Sequence, residues 1–197
     1  MDNFFNVANP VNPPAQVVTK SALSQARKQL SHTAFIDLNR QAVDAYYAAH
    51  PELKTWHGFR LCAIDGSQLR VPDEPDIVDA FGVNPGKENQ KDCPLALVSV
   101  YYDVLNHISI DSSINHTTAS ERDCAADHLN HAHANDLSIL DRGYNAFWLY
   151  ALYEATSRFF CMRAKINSGL LYKQFVESGK AQAVINLEPN QRSVEQC

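Results

Sequence analysis

The chain has 197 residues, is 45% hydrophobic and 20% charged, and carries a formal net charge of -5. That is apolar material enough for one ordinary domain, or one domain with an appendage, and it excludes a wholly disordered chain. No apolar run is long enough to span a bilayer, and the Asn/Pro-rich start does not resemble a signal peptide. The five cysteines are scattered with no CxxC pair, so free thiols in a reducing cytoplasm are expected. The acidic total argues weakly against nucleic acid, but the charge is uneven. Lys20, Arg27, Lys28 and Arg40 face only Asp37. Arg142, Arg158, Arg163, Lys165, Lys173 and Lys180 face only Glu154 and Glu177, and the 73–92 stretch is acidic. Local patches decide where a phosphate backbone can sit.

Residues 1–18, with Pro10, Pro13 and Pro14, read as an extended or disordered arm. Thr19 or Ser21 caps a first predicted helix through Leu23, Ala26 and Leu30. Ser31 or Thr33 caps a second, where Phe35, Leu38, Ala42, Ala45 and Ala49 form a stripe expected to be buried, and Pro51 ends it. Two helices with a short joint and a basic first member suit either DNA docking or packing on the main domain. Phe59 to Val71 is the first strand, with Leu61, Ala63 and Asp65 on one face by alternation. A long loop follows to Pro94, with a short helix around Ile77 to Phe81. Leu95 to Leu105 and Ile108 to Asn115 form a hairpin across an Asn106-His107 turn.

Thr118 to Glu121 has capping-box spacing and opens a helix through Ala125, Ala126 and Leu129. Asp136 to Leu140 is a fourth strand, Phe147 to Ala155 a helix, and Phe159 to Ile166 a fifth strand. Gly169 to Lys180 is helical or irregular, and Ala183 to Leu187 begins another strand. The order is three antiparallel strands, then helix, strand, helix, strand. Right-handed crossovers set the first and fourth strands side by side and parallel.

Two apolar runs, Leu61–Ile64 and Leu137–Leu140, each end at an aspartate with a glycine just beyond: Asp65-Gly66 and Asp141-Arg142-Gly143. A carboxylate at the inner end of a buried strand is costly unless compensated, and paired aspartates are how Mg²⁺ is usually held. Adjacent parallel strands bring Asp65 and Asp141 within reach of one pair of cations, the arrangement of two-metal phosphoryl transfer. Other roles are open to each: Asp65 as cap of a Gly66-Ser67 turn, and Asp141 paired with Arg142 or bonded to the Gly143 amide. Arg163 and Lys165 share a face of the fifth strand and face phosphates or solvent. His128, His131 and His133 do not share one helical face and lack a cysteine pair, which disfavours zinc. Glu121 is most economically a cap. An aspartyl-nucleophile phosphohydrolase is disfavoured because it wants a second aspartate where Ser67 stands.

Four stretches together, SALSQARKQL, AIDGSQLRVPDEPD with the later AFG, SERDCAADHL, and LSILDRGYNAFWLYALYEATSRFFCMRAKI, resemble bacterial insertion-sequence transposases of the DDE type. The similarity is to the group whose second aspartate lies in an Asp-Arg-Gly-Tyr/Phe motif, and it runs over roughly residues 19 to 170. The resemblance implies an α/β, RNase H-like mixed sheet preceded by a small N-terminal helical segment. It implies Mg²⁺ (Mn²⁺ substituting) held by Asp65, Asp141 and a glutamate, and cut-and-paste DNA transposition in the bacterial cytoplasm. Double-stranded DNA, as transposon ends and target, is the implied partner, met by Lys20, Arg27, Lys28, Arg142, Arg163 and Lys165. A homodimer of the full-length protein is possible, and no membrane is involved. The family's glutamate, flanked by Tyr, Arg and Lys, has no match here: Glu177, Glu188 and Glu195 lack those neighbours. The expected division is 1–18 arm, 19–57 helical segment, 58–167 incomplete catalytic core, and 168–197 the start of a truncated insert. The alternative function is a non-catalytic DNA-binding or oligomerising remnant.

Overall fold

A computed structural model describes residues 19–85 and 92–187. The proline-rich arm, part of the long acidic loop, Glu188 and Glu195 lie outside the described residues. The chain divides into two compact units, Met1–Ala42 and Val43–Cys197. Among the described residues, no helix is long and apolar enough to cross a membrane.

The first unit holds α1 (Lys20–Gln29) and the start of α2 (Thr33–Ala49). Thr19 is the N-cap of α1, its hydroxyl accepting from the Ala22 amide at 3.1 Å. Arg27 and Lys28 sit in the last turn, where cations complement the helix dipole. The stripe expected to be buried on α2 is not buried: Phe35 and Leu38 are 62% and 63% exposed. Period identifies the apolar face of a helix, but burial needs a neighbour to cover it. Neither α1 nor α2 contains a buried residue.

The second unit is built on a six-stranded mixed sheet. Its strands are β1 (Arg60–Arg70), β2 (Val83–Asn84), β3 (Cys93–Asp103), β4 (Ile108–His116), β5 (Asp136–Leu140) and β6 (Phe159–Met162). Its helices are α3 (Pro75–Phe81), α4 (Glu121–His128), α5 (Phe147–Ala155) and α6 (Leu170–Glu177). β4, β3 and β1 are antiparallel, whereas β1, β5 and β6 are parallel, in the order expected from the sequence. Antiparallel neighbours need only a tight turn, and parallel ones need a crossover, here supplied by α4 and α5. The β3–β4 turn is held by Asp103, which accepts from the Leu105 and Asn106 amides at 3.2 and 3.1 Å.

Alternation sends Cys62 and Ile64 of β1 and Leu140 of β5 into one core with Tyr101, Ala125, Leu129, Tyr144, Leu149 and Tyr153. At the start of β1 the same face carries Arg60, which binds Asp136 of β5 through two bonds of 2.7 and 2.6 Å. Asp136 also accepts from the Tyr101 hydroxyl at 2.7 Å and the His133 amide at 2.8 Å. Arg60 and Asp136 are register partners across the parallel pair. A buried ion pair of this kind fixes register, because removing one partner strands a charge at a cost of about 3–5 kcal/mol.

Two predicted strands fall short. β6 stops at Met162 because its partner β5 ends at Leu140, after which only the Arg163 amide still reaches the Leu140 carbonyl. Residues 182–187 form no strand, and Val184 is almost fully exposed. A strand needs a paired edge, and propensity alone does not provide one.

Candidate active site

β1 and β5 run parallel with Ala63 opposite Ile139. The pairing ends there, and carried one pleat further the same register would set Asp65 beside Asp141. The alternation places Asp65 with Leu61 and Ala63 on the face away from Cys62, and Asp141 follows the last residue of β5. Both aspartates are exposed. The expectation that burial makes these carboxylates costly is therefore not met, because the sheet face that carries them is open to solvent.

Their surroundings differ. Asp65 lies inside β1, which runs on through Gly66 to Arg70, so no Gly66-Ser67 turn exists for it to cap. Asp141 follows the last residue of β5, and its Oδ1 accepts from the Gly143 amide. Arg122, in the first turn of α4, donates from Nε to the Gly143 carbonyl at 3.0 Å. The loop that carries Asp141 is thus tied to the start of α4.

That same helix start brings in Glu121. The capping box expected at Thr118 to Glu121 is absent. Ser120 is the N-cap, its hydroxyl accepting from the Asp123 amide, and Glu121 is the first helical residue. The Glu121 carboxyl instead reaches over Gly66. A Cβ on Gly66 would lie 2.9 Å from both Cγ and Cδ of Glu121. A glycine inside a strand often marks such a close approach, a signal in the sequence that could have pointed here but was read as part of a turn. Partial burial, then the charges of Asp65 and Asp141, raise the Glu121 carboxyl above its ordinary range, with Arg122 opposing. Tyr144 is fully buried and its hydroxyl has no hydrogen-bond partner. Burial raises its pKa, and the charges of Glu121, Asp65 and Asp141 raise it further.

Among the described residues, no three His, Cys, Asp or Glu side chains already form a cage for an ion. The donors at this strand end are nonetheless all oxygens, the set that suits Mg²⁺ or Mn²⁺, and Mg²⁺ commonly takes one or two carboxylates and completes its shell with water and substrate phosphate. The residues therefore fit a hard divalent ion. They do not form a zinc site at the histidines. His128 is held between Ser99 Oγ at 3.0 Å and Asp111 Oδ2 at 2.7 Å, with His131 at 3.7 Å from the same carboxylate. Ser99 and His128 are buried, so this chain of bonds ties α4 to β3 and β4 and offers no reactive serine.

Of the basic residues singled out, Arg142 adjoins Asp141 and is exposed. Arg163 and Lys165 are exposed too, but they lie past the end of β6, not on it. Pairing of β5 with β6 sets Arg163 next to the Asp141 end of β5, with its amide on the Leu140 carbonyl at 3.2 Å. Lys20, Arg27 and Lys28 are exposed on α1, in the other unit. A groove of about 730 Å³ lies elsewhere, lined by Phe147, Tyr150, Phe160, Tyr172, Ile185 and Leu187 among others.

No family model matches the chain. It aligns with the transposase InsG of insertion sequence element IS4 from Escherichia coli K12 at 24% identity over 186 residues, 94% of this chain and 41% of that protein. It aligns with the putative transposase InsZ of the same organism at 27% identity over 127 residues, 64% of this chain and 42% of that protein. Against the Mos1 transposase paired-end complex with the left transposon end, the TM-score is 0.36 at 10% identity, over 100% of this chain and 69% of that one, a likeness too slight to build on. The chain is thus similar in sequence to two bacterial transposases and spans about two fifths of the length of each.

Proposed function

We propose that this chain is the aspartate-bearing part of a DNA transposase of the DDE type, with an RNase H-like core, acting on phosphodiesters with Mg²⁺ or Mn²⁺. The observation that supports this most is the parallel pairing of β1 with β5 up to Ala63 and Ile139, a register whose continuation would set Asp65 beside Asp141. The sequence similarity to InsG and InsZ points the same way.

Asp65 and Asp141 would hold the metal. Bound there, divalent ions would activate the attacking oxygen and stabilise the leaving one. The remaining tasks belong to the chain itself. The Gly143 amide orients the Asp141 carboxylate, and Arg122 fixes the Gly143 loop. Arg142, Arg163 and Lys165 supply positive charge beside the acidic pair for a DNA backbone. Lys20, Arg27 and Lys28 supply a second patch on α1. In this scheme residues 58–167 carry the core, 19–57 add DNA contacts, and 168–197 lead into a further segment. Duplex DNA, as transposon end and target, is the proposed substrate.

Incubated with supercoiled plasmid and Mn²⁺, the chain should nick slowly at most, because its sequence has no glutamate flanked by Tyr, Arg and Lys to join the two aspartates. Asp65→Asn and Asp141→Asn should each abolish whatever nicking occurs. Nicking that survives in Asp65→Asn would sink this assignment. The second reading, a DNA-binding remnant without chemistry, is favoured by the exposed Lys20, Arg27 and Lys28 of α1. Gel-shift binding that depends on Lys20, Arg27 and Lys28, with no metal-dependent nicking, would select it.

A further inference from the structure

We infer that the outer edge of β1, from Gly66 to Arg70, pairs antiparallel with the same edge of a second copy of this chain. Gln68 lies at the centre of this two-fold interface, and Arg70 of each copy stands beside Gly66 and Glu121 of the other. The interface does not depend on the function proposed above. Two observations carry it, one of the main chain and one of charge.

β1 runs on to Arg70, whereas its pairing with β5 stops at Ala63. The Val104 amide donates to the Leu61 carbonyl at 2.9 Å and the Val71 amide to the Pro94 carbonyl at 3.1 Å, so odd-numbered residues of β1 turn their main-chain groups toward β3. The Arg60 amide donates to the Asn135 carbonyl at 3.0 Å, so even-numbered residues turn theirs toward β5. The N–H and C=O groups of Gly66, Gln68 and Arg70 therefore face the side that β5 no longer covers. Among the described residues no other strand takes that place. Ser67 to Arg70 are all exposed. Such a row is a template for another strand, and a bulge commonly twists it out of reach. Here the register with β3 is unbroken from Cys62 to Arg70.

The edge also matches itself. Alternation puts Gly66, Gln68 and Arg70 on one face, the face where the Glu121 carboxyl rests over Gly66, with Oε1 3.1 Å from the position of an added Cβ. Residues directly opposite in an antiparallel pair share a face. Pairing about Gln68 thus sets Arg70 opposite Gly66 of the other copy, where its guanidinium meets the other copy's Glu121, and the symmetry repeats the ion pair. A two-fold contact needs this property, that the patch which reaches out also receives. Partial burial, then Asp65 and Asp141, raise the Glu121 carboxyl, and a cation brought to it favours its charged form. On the other face Leu69, 50% exposed, comes beside Ser67 of the second copy. Asp65 lies on that face, away from the ion pairs.

Sedimentation equilibrium of the purified chain at high micromolar concentration tests this, with circular dichroism confirming that each variant folds. The parent should be a dimer. Gln68→Pro removes an amide that β3 does not use, and proline is tolerated where its nitrogen faces away from the sheet, so this variant should be a folded monomer. Arg70→Glu and Glu121→Arg each place like charges together and should raise the dissociation constant roughly tenfold or more. The double variant, Arg70→Glu with Glu121→Arg, should recover dimerisation, which a merely structural role of either residue would not allow. A monomeric parent, or a dimer that survives Gln68→Pro, would overturn the edge pairing. A dimer lost in Gln68→Pro but indifferent to both charge reversals, or a double variant weaker than either single one, would overturn the Arg70–Glu121 contact and with it the proposed register.

Discussion

Glu121 carries a measurable consequence of its position within a single chain. Partial burial, then Asp65 and Asp141, hold its carboxyl above the ordinary range, so its ionisation is less favourable in the folded chain than in the unfolded one. A carboxyl with a raised folded pKa favours folding at low pH and loses that advantage as pH rises through the folded value. Glu121→Gln should therefore melt higher than the parent at pH 7, and the difference should vanish as pH falls below about 4, the ordinary glutamate range. Melts across that range check it, and a Gln variant less stable than the parent at pH 7 would contradict the repulsion. The strand ends that carry Asp65 and Asp141 were legible because alternation and strand order are local properties of the chain. Glu121 was not, because its placement depends on Gly66, on a distant strand, and a cap one residue away gave it a simpler role.

Element boundaries were decided by neighbours. α4 begins after Ser120, not after Thr118, although both Thr118 and Ser120 are good caps by type. The Thr118 hydroxyl is bonded to His116 Nδ1 at 2.9 Å instead. Ser120→Ala should therefore cost about 1 kcal/mol in chemical denaturation, and Thr118→Ala distinctly less. The reverse order would restore the capping box read from the sequence. β6 ends where β5 ends, and residues 182–187 stay irregular without an edge to pair with. The α2 stripe has the right period and stays exposed. Each was a correct reading of local preference that lacked a partner.

At the scale of the whole molecule, a net charge of -5 conceals a local arrangement that only strand pairing creates. Arg142 is next to Asp141 in sequence, but Arg163 arrives there because β6 lies beside β5. If DNA binds across this edge, Arg163→Ala with Lys165→Ala should weaken binding of unrelated duplexes uniformly. It should also flatten the dependence of log affinity on log salt by about two, near 0.9 for each phosphate left without its cation. Fluorescence anisotropy over a salt series measures it, and an unchanged slope would remove these residues from the interface.

Composition, period and turn chemistry determined the element order and the antiparallel-then-parallel sheet, because each follows from short stretches of chain. Tertiary structure alone decided that both aspartates stand in solvent, that Glu121 leans over Gly66, and that the Tyr144 hydroxyl is buried without a hydrogen-bond partner. These depend on which strand covers which helix, and contacts between segments far apart in the chain leave no mark on the residues of either one.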